Sequence, residues 1–175
     1  LMPELGEWIL AAACSAAMRW PEEITLSVNI SPAQIQEPGF VDKALGILRA
    51  SRLPPRRLEV EITETALLAD ADKARKVIDR LKREGVRVAL DDFGTGYSSL
   101  SHIRQFPMDT VKIDRSFIEE FGSNSMSTAI VSAILHIAQQ LDIVSTAEGI
   151  ETADQLELLR AAGCRVVQGY YFSRP

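Results

Sequence analysis

Hydrophobic and polar positions follow two different periods along this chain. Short, mostly apolar runs alternate with longer stretches in which apolar residues recur every three or four positions. The short runs predict buried strands, and the longer stretches predict amphipathic helices. We predict six strands, at residues 26–30, 58–63, 86–91, 110–113, 143–147 and from residue 166 onward.

Predicted helices stand between these strands. The clearest covers residues 70–84, with Ala74, Ile78 and Leu81 on one face and Gly85 just past its end. Three more are predicted at residues 40–50, 127–141 and 152–162. Strands that alternate with helices indicate a parallel sheet covered by helices, which is an α/β fold.

One further helix precedes the first strand. Pro3 suits the first turn of a helix, because that position needs no backbone donor. The apolar face of this helix combines Leu5, Trp8, Ile9 and Ala12. We expect this helix to pack in the core.

Length limits the architecture. The chain has 175 residues, 46% of them hydrophobic, which is ordinary for a folded domain and argues against disorder. A complete eight-unit β/α barrel needs about 250 residues. No apolar run approaches the ~18 residues of a membrane span.

Charge and cysteine content exclude several classes of function. The formal net charge is −5 and no basic stripe is visible, which argues against a DNA partner. Cys14 and Cys164 lie far apart without metal-like spacing, so we expect reduced thiols and a cytoplasmic location. With two histidines, a multi-histidine zinc site is not expected.

Polar residues stand at or near the end of every predicted strand. In parallel α/β folds, sites form where the carboxyl ends of the strands converge. The residues at these ends are Asn29, Glu61, Asp91, Asp92, Lys112, Asp114, Glu148, Glu151 and Gln168.

Each of these residues also has a purely structural interpretation. Asn29 suits a turn, and Asp91 and Asp92 suit a helix cap. Lys112 alone is compatible with a lysine that extends its ammonium to solvent. Glu148 and Glu151 are also candidates to cap the following helix.

Taken together, however, converging carboxylates and an amide without histidine or thiol favour a hard cation such as Mg²⁺ or Mn²⁺. Two such ions about 3.5–4 Å apart would clamp a phosphate ester for in-line attack.

At these residues the sequence resembles the EAL domain family, the bacterial cyclic-di-GMP phosphodiesterases. The segments that match in family order are residues 27–31 (SVNIS), 61–65 (EITET), 91–100 (DDFGTGYSSL), 111–114 (VKID), 147–151 (AEGIE) and 168–175 (QGYYFSRP). The resemblance covers nearly the whole chain. It implies a TIM-like (β/α) barrel with a metal site at the carboxyl ends of its strands.

The resemblance also implies a role for each strand-end residue. The implied ligands of two Mg²⁺ or Mn²⁺ ions are Asn29, Glu61, Asp91, Asp92 and Glu148. The implied catalytic residues are Lys112, Glu148 and Glu151, with Lys112 orienting the attacking water or contacting the scissile phosphate. The implied substrate-binding residues are Gln168, Asn29 and Asp114. Glu64 would anchor the loop at residues 93–100, which in this family couples to a dimer interface.

The expected reaction is hydrolysis of c-di-GMP to linear pGpG, with a homodimer as the expected assembly. The alternatives are a catalytically inactive c-di-GMP receptor, and a barrel enzyme acting on another phosphate ester. The Glu-Ala-Leu signature that names the family is absent from the printed sequence and belongs before Leu1. We therefore expect residues 1–175 to be one EAL-type barrel domain without its N-terminal part, and inactive by itself. The parent protein is then expected to carry upstream sensor or GGDEF domains, and a membrane anchor elsewhere is compatible with this.

Overall fold

The computed structural model describes residues 2–94 and 105–174. Within these ranges the chain forms six strands: β1 (Leu26–Asn29), β2 (Leu58–Thr63), β3 (Arg87–Phe93), β4 (Thr110–Ile113), β5 (Val144–Ala147) and β6 (Val166–Val167). They follow one another in the sheet in chain order. The predicted six-strand α/β fold is confirmed.

The described helices are α1 (Met2–Ala17), α2 (Pro32–Ile35), α3 (Phe40–Ser51), α4 (Glu64–Ala69), α5 (Ala71–Arg83), α6 (Arg115–Glu119), α7 (Ser125–Gln140) and α8 (Ala153–Ala161). A 3₁₀ turn covers Pro55–Arg57. In the described residues, none of these helices has the length and apolar content needed to cross a membrane.

The chain divides into two compact units. Of the described residues, the first unit comprises 2–89 and 105–108, and the second comprises 90–94 and 109–174. In the first unit β1 runs parallel to β2, with Leu26 opposite Leu58 and Asn29 opposite Glu61. In the second unit β4 runs parallel to β5 and β5 parallel to β6.

Local capping explains where the longest predicted helices begin. Asp70 accepts a hydrogen bond from the Lys73 backbone N–H and so starts α5. Asn124 accepts from the first turn of α7 in the same way. Gly85 follows α5 with φ of 87°, a left-handed conformation that glycine adopts without strain.

Three short helices, α2, α4 and α6, were not predicted, and each begins just after a strand. Their four to six residues are too few to show a helical period. One local signal was nevertheless available. Ser31 and Gln34 form a capping box at the start of α2, and this spacing is readable in the sequence.

The predicted core face of α1 is wrong. Leu5, Trp8 and Ile9 are 49%, 68% and 45% exposed. The buried face instead carries Leu10, Cys14 and Ala17, and the helix packs on α3 and β1. Two of these three side chains are small, which lets the helices approach closely, whereas hydrophobic periodicity favours the largest side chains.

A buried arginine closes the end of α1. Arg57 is 5% exposed. Its Nε donates to the carbonyl oxygen of Ile24 at 3.0 Å, and its Nη2 donates to those of Ala17 at 2.9 Å and Pro21 at 3.0 Å. The Ala17 carbonyl lies at the negative end of α1, and the other two carbonyls lie in the segment between α1 and β1, so the guanidinium stabilises both the helix terminus and the segment that follows.

Candidate functional site

In the first unit, Asn29 and Glu61 lie side by side at the carboxyl ends of β1 and β2. They are register partners, and the Ile30 N–H donates to the Glu61 carbonyl oxygen at 2.9 Å. Glu61 is 7% exposed although it carries a carboxylate. This placement agrees with the predicted position of both residues at one end of the sheet.

The face of β2 that carries Glu61 is polar below it as well. Glu59 lies two residues earlier on the same face, since side chains alternate along a strand. Its carboxylate accepts a hydrogen bond from Ser27 Oγ at 3.3 Å and lies 3.4 Å from Nη2 of Arg87. The buried glutamate one pleat below Glu61 is therefore already charge-paired.

In the second unit, Lys112 lies between two carboxylates from neighbouring segments. Its Nζ is 3.1 Å from Oδ1 of Asp91 and 2.7 Å from Oε1 of Glu148. The Lys112 side chain is 8% exposed, against 12% for Asp91 and 21% for Glu148. The alternative of a lysine reaching into solvent is therefore wrong, because the ammonium is buried and paired.

Asp91 keeps one oxygen with unused capacity. Its Oδ1 is buried, and among the described residues no group donates a hydrogen bond to it, although the Lys112 ammonium lies 3.1 Å away. A buried carboxylate oxygen without a donor is costly unless a cation or water completes it. The neighbouring Asp92 is exposed and has φ of 55°, a left-handed conformation that aspartate tolerates better than most residues.

Neither Glu148 nor Glu151 caps the helix that follows, which was the structural alternative for both residues. Thr152 caps α8 in a capping box with Gln155, so neither glutamate side chain fills that role. The Glu151 carboxylate instead lies 3.2 Å from Nη2 of Arg115. The two glutamates therefore pair with different cations: Glu148 with Lys112 on β4, and Glu151 with Arg115 just after β4.

Asp114 is a helix cap. Its Oδ1 accepts hydrogen bonds from the Ser116 N–H at 2.9 Å and from Ser116 Oγ at 2.5 Å, and it precedes α6. The predicted contact of Asp114 with substrate stays a prediction.

A pocket of about 200 Å³ adjoins these groups in the second unit. Its lining residues are Arg115, Glu148, Gly149, Glu151, Gln168, Gly169 and Tyr170. Two backbone hydrogen bonds join the two segments that contribute most of the lining: the Ile150 N–H donates to the Gln168 carbonyl at 3.0 Å, and the Tyr171 N–H donates to the Ile150 carbonyl at 2.9 Å. A Cβ on Gly169 would lie 2.1 Å from that same Ile150 oxygen, so only glycine fits.

Glu64 begins α4 and is 6% exposed. Residues 95–104 lie outside the described residues, and they include most of the loop that Glu64 was predicted to anchor. The anchoring role therefore stays a prediction.

The donor set agrees in chemistry with a hard divalent cation. It consists of carboxylate and amide oxygens, including the buried Asp91 oxygen that accepts no hydrogen bond. Within residues 2–94 and 105–174, no three His, Cys, Asp or Glu side chains already form a cluster that would hold a metal ion. In the second unit the cation between the carboxylates of Asp91 and Glu148 is Lys112.

Comparison with known proteins places these motifs in context. The EAL domain family model matches residues 1–175. The cyclic di-GMP phosphodiesterase NbdA of Pseudomonas aeruginosa is 38% identical over 179 aligned residues, which cover 100% of this chain and 23% of NbdA. The chain spans 21–29% of the length of the first eight curated relatives that it matches.

Solved structures of EAL proteins have the same fold as this chain. The PaMucR phosphodiesterase in complex with c-di-GMP superposes with a TM-score of 0.93 and 38% identity, covering 98% of this chain and 71% of that one. Klebsiella pneumoniae BlrP1, in a manganese and c-di-GMP complex, gives a TM-score of 0.92 at 32% identity, covering 99% of this chain and 45% of that one. The predicted TIM-like fold of the EAL type is confirmed, and the chain belongs to the EAL domain family.

Proposed function

We propose that this domain hydrolyses c-di-GMP to linear pGpG, using two Mg²⁺ or Mn²⁺ ions in the parent protein. The observation that carries the proposal is the buried ammonium of Lys112 between Asp91 and Glu148. A buried cation flanked by two carboxylates at strand ends is suited to a negatively charged phosphodiester that loses a P–O bond.

Each strand-end residue has a proposed part in this reaction. The proposed ligands of the ions are Asn29, Glu61, Asp91, Asp92 and Glu148. Bound there, the ions would polarise a phosphate oxygen and lower the pKa of a bound water. Lys112 orients the attacking water or contacts the scissile phosphate, with Glu148 as its partner at 2.7 Å.

The pocket beside this group suits the rest of the substrate. It offers the Gln168 amide and the Tyr170 ring within about 200 Å³. We propose that Gln168, with Asn29 and Asp114, contacts the substrate, and that Glu151 supports the site. Glu64 is proposed to anchor the loop at residues 93–100.

The domain is proposed to be the carboxyl-terminal part of a larger barrel in a multidomain signalling protein. Curated relatives of several times its length support this, with the chain covering 26% of MucR and 23% of NbdA. We propose that it works in the cytoplasm as a homodimer, with sensor or GGDEF domains upstream.

An inactive c-di-GMP receptor is the second candidate. The relatives' c-di-GMP complexes favour binding of this ligand but do not by themselves separate binding from turnover. Against the receptor stand the acidic residues at the strand ends. Burying the carboxylates of Glu61 and Asp91 is costly, and that cost is more readily explained by catalysis than by binding alone.

The test uses the purified parent protein with c-di-GMP and either Mg²⁺ or Mn²⁺, with products separated by chromatography. We expect pGpG to accumulate, and to be lost when a chelator is added or when Glu61→Gln is introduced. Glu157→Gln, an exposed glutamate on α8, is the matched control and should keep full activity. Wild-type turnover no higher than that of Glu61→Gln would reject the proposal.

A further inference from the structure

Arg115 is one of the residues that line the pocket beside Glu148 and Glu151. It is the first residue of α6, directly after the Asp114 cap. Its Nε donates to the Glu119 carboxylate one turn along the same helix, and its Nη2 lies 3.2 Å from Oε1 of Glu151. None of the roles assigned above to the strand-end residues includes this arginine.

The aliphatic part of the Arg115 side chain packs against the backbone at Gly149. A Cβ built on Gly149 would lie 2.4 Å from Cγ of Arg115 and 2.8 Å from its Cβ. Gly149 has φ of 76°. The chain therefore has glycine where the arginine stem crosses the backbone between Glu148 and Glu151.

The segment from Glu148 to Glu151 is thus fixed at both ends by cations. Lys112 holds Glu148 at 2.7 Å, and Arg115 holds Glu151 at 3.2 Å while its stem lies against Gly149. Glu119 accepts a hydrogen bond from Nε of the same guanidinium, so Arg115 is paired with two carboxylates. The Glu119 carboxylate also raises the pKa of Arg115, so the guanidinium stays charged.

We infer that Arg115 is a positioning residue, which holds Glu151 and the adjoining backbone so that Glu148 meets Lys112 in the reactive arrangement. The inference rests on the proposed hydrolysis. Its competitor is an ordinary surface ion pair without function. The two side chains are 52% and 45% exposed, and pairs of that kind contribute little to stability.

The two interpretations differ in what a substitution changes. A surface pair predicts no effect on turnover. A positioning residue predicts that Arg115→Ala lowers kcat by about tenfold or more, as loss of an outer partner commonly does, while the unfolding midpoint stays unchanged. The KM for c-di-GMP should change by less than about threefold, because the lost interaction acts on the reacting groups rather than on ground-state binding.

The matched control is Arg75→Ala. Arg75 forms an equally exposed pair with Asp79 at i,i+4 on α5, and it does not line the pocket around Glu151. Arg115→Lys keeps the charge but not the planar fork that reaches two carboxylates, so it should recover part of kcat. In a Glu151→Gln background the effect of Arg115→Ala should shrink to less than about twofold, since its partner is already neutral.

The experiment measures kcat, KM, c-di-GMP affinity by calorimetry in chelator, and the unfolding midpoint for these variants of the parent protein. The inference is supported if Arg115→Ala loses kcat, retains affinity and midpoint, and is coupled to Glu151. It is overturned if Arg115→Ala matches Arg75→Ala, or if its effect is the same with and without the Glu151 substitution. Absence of wild-type turnover would instead reject the hydrolysis itself, and the inference with it.

Discussion

The buried position of Lys112 predicts a large stability cost when its charge is removed. Lys112→Met keeps the approximate length of the side chain but leaves Asp91 and Glu148 without the ammonium that lies 3.1 and 2.7 Å from them. Removing one partner of a buried ion pair costs about 3–5 kcal/mol, because the remaining charge stays desolvated.

The lower end of that range applies here, because the Glu148 side chain is 21% exposed and water can partly solvate its carboxylate once the ammonium is removed. We therefore expect a loss of about 3 kcal/mol in the free energy of unfolding. For a domain of this size that is a fall of about 6–12 °C in the unfolding temperature. Urea unfolding at neutral pH, followed by circular dichroism, gives this free energy if the complete barrel domain unfolds in one step and the slope with denaturant is unchanged.

Lys43 provides the matched control. It also lies between two carboxylates, those of Glu7 and Glu37, at 2.6 Å from each, but its side chain is 42% exposed. Lys43→Met should leave stability unchanged, because exposed pairs are screened by water. In Lys112→Met, a further Glu148→Gln should restore part of the loss by removing one uncompensated charge. Equal unfolding midpoints for Lys112→Met and Lys43→Met would refute the reasoning.

Three further substitutions or treatments test the fold around the site. Arg57→Met removes the hydrogen bonds that a side chain only 5% exposed donates to backbone carbonyl groups, so the free energy of unfolding in urea should fall by about 3 kcal/mol. Arg56→Met, at the exposed neighbouring position, should not change it. Gly169→Ala should lower the free energy of unfolding by about 3 kcal/mol or more, because the new Cβ would lie 2.1 Å from a backbone oxygen. The control is Gly46→Ala, at an exposed helix position with open space around it, which should raise the free energy of unfolding by about 1 kcal/mol. Burial raises the pKa of the Cys14 thiol, so in native protein Cys14 should resist thiol reagents at pH 8 and react only on unfolding, as mapped by mass spectrometry separately from the half-buried Cys164. The unfolded chain would ionise that thiol at a lower pH than the folded one, so stability is fully kept below about pH 8.5 and declines as the pH rises above it. Equal labelling of Cys14 in native and denatured protein would contradict the prediction that this thiol is protected by burial.

The sequence was informative where one segment determines its own structure. Each strand was recognisable from a short apolar run, and strand-end residues such as Asn29 and Glu61 follow from where those runs stop. Their adjacency then follows from the parallel register. The prediction that Lys112 belongs with the carboxylates was also available from its place in β4.

What the sequence could not predict depends on partners far away in the chain. Arg57 donates to carbonyl groups 33–40 residues earlier, and no local pattern announces such a contact. The exposed face of α1 reflects how closely Cys14 and Ala17 can approach α3, which periodicity does not measure. The pairing of Arg115 with Glu151 likewise joins a helix start to a loop 36 positions later.

The central claim is that this domain cleaves a phosphodiester bond with water. The most direct measurement is to incubate the parent protein with c-di-GMP and Mn²⁺ in ¹⁸O-labelled water and to weigh the product by mass spectrometry. Addition of one water across one P–O bond predicts linear pGpG with a single ¹⁸O in its terminal phosphate. Recovery of intact, unlabelled c-di-GMP after binding would contradict the account and support the receptor instead.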